Sequence, residues 1–141
     1  MRFKYSICDP LEKEIIYTEQ KINANQVLAL VEEYPWVEKL NVSEQHGTLP
    51  HFSPSLNFKN EDNAQEFCLT AHFNQNNILE FSIWYSRPIK TKVCFGLFGE
   101  KEKIVVSDAW DFLLEDALVY LKYFVKGQYE ELERFYLNLY K

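Results

Sequence analysis

Between residues 107 and 126, apolar side chains recur at steps of three and four: Trp110, Leu113, Leu114, Ala117, Leu118, Leu121, Phe124 and Val125. That spacing predicts a helix. Phe112, Val119 and Tyr123 form a second, smaller apolar strip, and Asp108, Asp111, Glu115, Lys122 and Lys126 line a narrow polar seam. A helix so nearly apolar all round is buried on two sides, so it is expected to be the spine on which a sheet and a second helix pack. Asp108 reads as its N-cap. Gly127 reads as its left-handed stop, with Lys122 and Lys126 at the negative end of the helix. Residues 128–140 then repeat a helical pattern, with Tyr129, Leu132, Phe135, Tyr136, Leu139 and Tyr140 on one face.

Elsewhere the period is two. Phe3, Tyr5 and Ile7 alternate with Lys4 and Ser6, a half-buried strand. Asp9-Pro10 turns the chain, and residues 14–20 supply a β-branched second strand. Asn23, with Gln26 three residues on, has the form of a capping box opening a short helix. Val27, Leu28, Leu30, Val31 and Tyr34 are its buried face, and Tyr34-Pro35 ends it. Residues 36–42 fit either a short strand or a turn of helix. Residues 43–57 carry Gly47, Pro50 and Pro54 without periodicity and are expected to be one long loop, and residues 60–65, polar and acidic, fit a helical turn.

Three antiparallel strands are predicted next, over residues 66–73, 78–86 and 90–98. A slip of one residue would expose a whole apolar set, so inward residues must meet inward residues. Phe73 should therefore pair with Leu79, Ala71 with Phe81 and Leu69 with Ile83, around a loop centred on Asn76. By the same reasoning Tyr85 should face Thr91 and Ile83 should face Val93, across a turn at Arg87-Pro88. Residues 103–106 are a last strand leading into the spine helix. The expected fold class is α+β in a single domain spanning residues 1–141. It has an antiparallel β-sheet of about five to six strands, helices packed on one face and a C-terminal helical hairpin.

Composition narrows the function classes. Hydrophobic residues make up 47% and aromatics 16%, enough for a real core. The formal net charge is −6, which argues against nucleic-acid binding, since phosphate contact needs a surplus of Lys and Arg. Charged residues interrupt the first sixteen positions, so no leader is expected there. No apolar run is long enough to span a membrane. Cys8, Cys68 and Cys94 have no metal-type spacing and read as reduced thiols of a cytoplasmic protein.

The expected register collects His72, Glu80, Trp84, Lys92 and Cys94 on the sheet face away from the helices. This is either a recognition face anchored by Trp84, or an ordinary exposed face with a His72–Glu80 pair and Lys92 over the Trp84 ring. Cys68 and His72 lie about 13 Å apart on one strand at roughly 3.3 Å per residue, too far for a nucleophile and its base. His46 and His51 sit in the long loop, where Glu44 is the nearest carboxylate, and read as solvated loop residues rather than metal ligands. Asp108, Asp111, Glu115 and Asp116 crowd the start of the spine helix. They either complement its dipole or, with Glu130, Glu131 and Glu133, make an acidic patch for a basic partner.

No phosphate loop, nucleophile elbow or metalloprotease motif is present, and no metal or cofactor is expected. The reading that follows is a non-enzymatic protein-interaction module, in its concrete version an immunity-type or antitoxin-like inhibitor. Asp108, Asp111, Glu115, Trp84, Glu80 and His72 would meet a basic protein partner. The alternative is a small-ligand binder or enzyme with its pocket between the 43–57 loop and the sheet, where His46, His51 and His72 converge with Glu80. A third reading is a homodimer through the sheet face or through the Phe112, Val119 and Tyr123 strip.

Overall fold

Alternating apolar residues of the central strands form the inner wall of an antiparallel sheet. The computed structural model of the chain describes residues 1–45, 52–92 and 100–139. Within them the elements follow as β1 (Phe3–Cys8), β2 (Ile16–Tyr17), α1 (Ala24–Glu33), α2 (Trp36–Gln45), β3 (Ser55–Asn60), β4 (Glu66–Phe73), β5 (Leu79–Lys92), β6 (Glu100–Phe112), α3 (Leu114–Val125) and α4 (Tyr129–Leu139). The six strands pair in the order β2-β1-β3-β4-β5-β6. Leu56 and Phe58 of β3, Phe67, Leu69 and Ala71 of β4, and Phe81, Ile83 and Tyr85 of β5 are all buried on the inner face. This is the α+β architecture expected, with the helices on one side of the sheet.

The spine helix keeps its role but loses its first turns. Residues 107–112 belong to β6, and α3 begins at Leu114 behind an N-cap, Leu113, that makes no side-chain cap hydrogen bond. Asp108 is therefore not an N-cap. The apolar residues between 106 and 113 suit either period, and the ladder to β5 decides for the strand. Ala117, Leu121, Phe124 and Val125 are buried. The helix packs on α1, on α4 and on β4 and β5. Val119 stays exposed and Phe112, now on β6, is buried, so the expected strip of Phe112, Val119 and Tyr123 does not exist on one helix. The stop is as expected. Gly127 has φ 70°, its N–H donates to Phe124 O, and that of Gln128 donates to Tyr123 O, the paired bonds of a Schellman end.

The first helix also follows its sequence. Asn23 and Gln26 satisfy each other's backbone N–H in a capping box. The residues left ambiguous, 36–42, lie in the helix α2. Proline at position 35 forces Tyr34 into extended backbone, ψ 135°, and the chain re-enters a helix at once. Trp36 locks that corner. Its indole N–H donates to Val31 O at 2.9 Å, satisfying a carbonyl at the end of α1. Its ring meets Phe81 edge-on, with centroids 4.9 Å apart.

Three further expectations are corrected. The second strand contracts to Ile16–Tyr17. Residues 55–60, taken largely as loop, form β3, which pairs with both β1 and β4. Arg87-Pro88 is not a turn, because β5 runs through it. Tyr85 pairs with Ser107 and Ile83 with Ala109, not with Thr91 and Val93. β4 pairs with β5 only as far as Tyr85, so Pro88 lies where its strand has outgrown that neighbour, the setting in which a strand tolerates proline. Beyond that point β5 and β6 continue as a two-stranded ribbon out to Lys92 and Glu100. Val93, Phe95 and Leu97 of the expected third strand lie outside the described residues.

Two polar contacts tie the layers together. Asn60 is fully buried at the end of β3. Its amide nitrogen donates to Tyr129 Oη at 3.0 Å and to Met1 Sδ at 3.1 Å, and its amide oxygen accepts from Asp62 N at 2.8 Å. Asp9 accepts from Lys39 Nζ at 2.6 Å and from Leu11 N at 3.0 Å, fastening the end of β1 to α2. Burial pushes the Asp9 carboxyl upward, but the Lys39 and Leu11 hydrogen bonds and the Lys39 charge outweigh it and hold the group below its ordinary value.

Replacing Asn60 by Ala removes three hydrogen bonds and leaves a gap at a fully buried position, and is expected to cost about 2–3 kcal/mol, read as a lower urea midpoint. A lowered folded-state pKa contributes stability above the unfolded value and loses it as pH falls through the folded one. Asp9→Asn is thus expected to cost about 1 kcal/mol at pH 7. The gap from the parent should close as pH drops below about 4, followed by urea titrations across that range.

Candidate functional site on the outer sheet face

With the helices on the inner face, the outer face of the sheet carries the intervening residues. Asn57 and Lys59 of β3, Glu66, Cys68, Thr70 and His72 of β4, and Glu80, Ser82 and Trp84 of β5 alternate there with the core positions. Cross-strand polar bonds order this surface. Ser55 Oγ and Thr70 Oγ1 are 2.9 Å apart, and Asn57 Nδ2 donates to Glu66 Oε1 at 3.2 Å. The expected pairings hold across β4 and β5: His72 opposes Glu80, Thr70 opposes Ser82 and Cys68 opposes Trp84.

The third strand of the face differs from expectation. Asp108 of β6, not Lys92, stands opposite Trp84. Lys92 pairs with Glu100 at the far end of the ribbon, and Cys94 lies outside the described residues. The β5–β6 register then slips. Phe81 pairs with Phe112 but Ile83 with Ala109, so Trp110 and Asp111 together face Ser82. This is a β-bulge, a device that re-aims a side chain out of the regular alternation. Asp111 takes φ 71° there, a left-handed conformation that Asp adopts more readily than most residues.

The bulge brings Asp111 to His72, with Oδ1 3.6 Å from Nε2. His72, Glu80 and Asp111 each place one ligand-type atom within 4.8 Å of the other two. His72 and Glu80 are half-buried and Asp111 is exposed. They border an open hollow of about 510 Å³ that Phe73, Asn74, Gln75 and Asn76 complete. Asn74 shapes its rim, because its Oδ1 accepts from Asn76 N and Ile78 N and so holds the β4–β5 turn. Among the described residues no Lys or Arg lines the hollow. Its chemistry is thus one imidazole and two carboxylates, facing water.

Of the six residues singled out in the sequence, five lie on this part of the sheet. His72, Glu80 and Asp111 form the cluster, while Trp84 and Asp108 are register partners farther along the same strands. Glu115 does not join them, since it sits in the first turn of α3. Its neighbour Asp116 acts locally instead: burial first and the Asp116 charge second raise the Tyr120 hydroxyl above its ordinary value. His46 and His51 lie outside the described residues. The meeting of Asp111 with His72 has no spacing motif. Its only mark in the sequence is an Asp between Trp110 and Phe112, where it interrupts an apolar pair.

No family model, curated protein or solved structure matches the chain.

The left-handed backbone at residue 111 generates a stability test. Asp111→Asn is expected to stay within about 0.5 kcal/mol of the parent in urea unfolding, because Asn tolerates the same conformation. Asp111→Val, β-branched at positive φ, should cost about 1–3 kcal/mol.

Proposed function

We propose that this protein is a non-enzymatic protein-interaction module, of the immunity or antitoxin type, that presents the outer sheet face to a basic partner. The observation that carries this reading is the grouping of Glu80, Asp111 and His72 beside the Trp84–Asp108 pair on one face of β4, β5 and β6. A half-buried Trp on the same sheet face as Glu80 and Asp111 supplies both halves of such an interface. The ring is an anchor with large contact area, and the acids steer a cationic surface into place. The excess of acidic over basic residues across the chain works in the same direction. The hollow beside the cluster is open and shallow rather than enclosed, which suits a macromolecular surface better than a deep small-molecule pocket. No helix among the described residues is long and apolar enough to cross a membrane.

The test is capture of partners from the native host on immobilised parent protein and on a Glu80→Lys/Asp111→Lys variant, followed by association kinetics with the protein retained. The expected partner is basic. Its association rate with the parent should fall steeply with added salt, and the variant should associate at least tenfold more slowly at low salt, with the two converging near about 1 M salt. A partner held equally by parent, charge-reversal variant and Trp84→Ala would refute the assignment of this face.

A further inference from the structure

We propose that His72, Glu80 and Asp111 form a site for a divalent transition-metal ion, with Zn²⁺ as the probe of that class. This goes beyond the interaction reading and does not rest on it.

Three adjacent strands each contribute one donor: His72 from β4, Glu80 from β5 and Asp111 from β6. Metal–nitrogen and metal–oxygen bonds of about 2.0–2.2 Å at a tetrahedral angle set donors about 3.3 Å apart. The His72 Nε2 to Asp111 Oδ1 separation, 3.6 Å, is already near that spacing. The remaining edges of the triangle do not exceed 4.8 Å. Even with every edge at that limit, its centre would lie about 2.8 Å from each donor, so shifts of under about 1 Å reach bonding distance. Such shifts are within side-chain torsions, and the strands themselves need not move.

The donor chemistry chooses the ion. Imidazole suits Zn, Cu, Fe and Ni, and two carboxylates supply the charge that balances a dication. Ca²⁺ and Mg²⁺ seek oxygen ligands and gain nothing from the imidazole. The surroundings favour a cation as well, since the hollow carries both carboxylates and, among the described residues, no Lys or Arg. Asp111 is 76% exposed, so the solvent side of the ion would be completed by water, as in open three-ligand sites. The bulge matters to this geometry: in a regular ladder only one β6 residue would oppose Ser82, and Asp111 would not reach His72.

Titration calorimetry of the full chain with ZnCl₂ at pH 7.5 tests the site. The expected result is one saturable site with a dissociation constant of about 10⁻⁶ M. His72→Gln, Glu80→Gln and Asp111→Asn should each weaken it at least tenfold. Glu115→Gln should leave it unchanged. Thermal melts in EDTA establish that each variant folds, and added Zn²⁺ should raise the midpoint of the parent but not of the triad variants. A parent with no saturable binding overturns the proposal, leaving His72 and Asp111 as a plain ion pair. So does undiminished binding by His72→Gln/Glu80→Gln, which would place the ion elsewhere. Neither result bears on the salt-dependent partner association, which is measured in EDTA.

Discussion

The pairing of β3 with both β1 and β4 is the constraint on which the rest depends. β1 reaches the main body of the sheet only through β3, register by register from Phe3 opposite Asn60 to Cys8 opposite Ser55. On the other side β3 meets β4 from Ser55 opposite Thr70 to Lys59 opposite Glu66. Leu56 and Phe58 carry the shared core between the two halves and are fully buried. Remove this strand and the N-terminal elements lose their common wall with β4, β5 and the helices that cover them. Because a shift of one residue would turn Leu56 and Phe58 to water, the burial of two side chains sets the alignment of both ladders. Asn60 then closes the strand, and its bonds to Tyr129 and Asp62 carry the same alignment to α4 and to the following turn.

That rigidity is what gives the outer face its definition. His72 and Glu80 are placed by a regular ladder, as inevitable neighbours once Ala71 and Phe81 are buried behind them. Asp111 is placed by an irregularity, the extra residue that β6 carries against Ser82. The two mechanisms meet at one point. The carboxylates are held close together with, among the described residues, no lysine or arginine beside them in the hollow, so the local field favours positive charge, whether from a protein or an ion.

Much of the fold was legible along the chain, and the reasons differ by element. The β4–β5 register followed from alternation, which sets the facing, together with the short turn around Asn76, which selects among the alignments that alternation allows. The Asn23 capping box and the Gly127 stop followed from local backbone chemistry. β3 was hidden because Ser55, Asn57, Lys59 and Asn60 are poor strand formers. Only Leu56 and Phe58 carry its period, and tertiary burial overrode local preference. The boundary between β6 and α3 was hidden because residues 107–113 satisfy both periods at once, and only a long partner strand in β5 decides between them. That error split the site: with Asp108 and Asp111 assigned to a helix, the acidic cluster and the sheet face read as two surfaces. A bulge depends on the pairing of two strands and leaves almost no trace in either one.

The order of the strands has a kinetic consequence. β4, β5 and β6 are neighbours both in sequence and in space, so this meander closes through short chain excursions and is expected to assemble early. β1 must instead wait for β3, with α1 and α2 lying between them along the chain. During that interval the flank of β3, which pairs with β4 across the short turn at 61–65, offers bare amides and carbonyls to any extended segment nearby. The vulnerable moment of this protein's folding is therefore the docking of β1 onto β3, and crowding or slow chain release at that stage would favour misassembly over the native sheet.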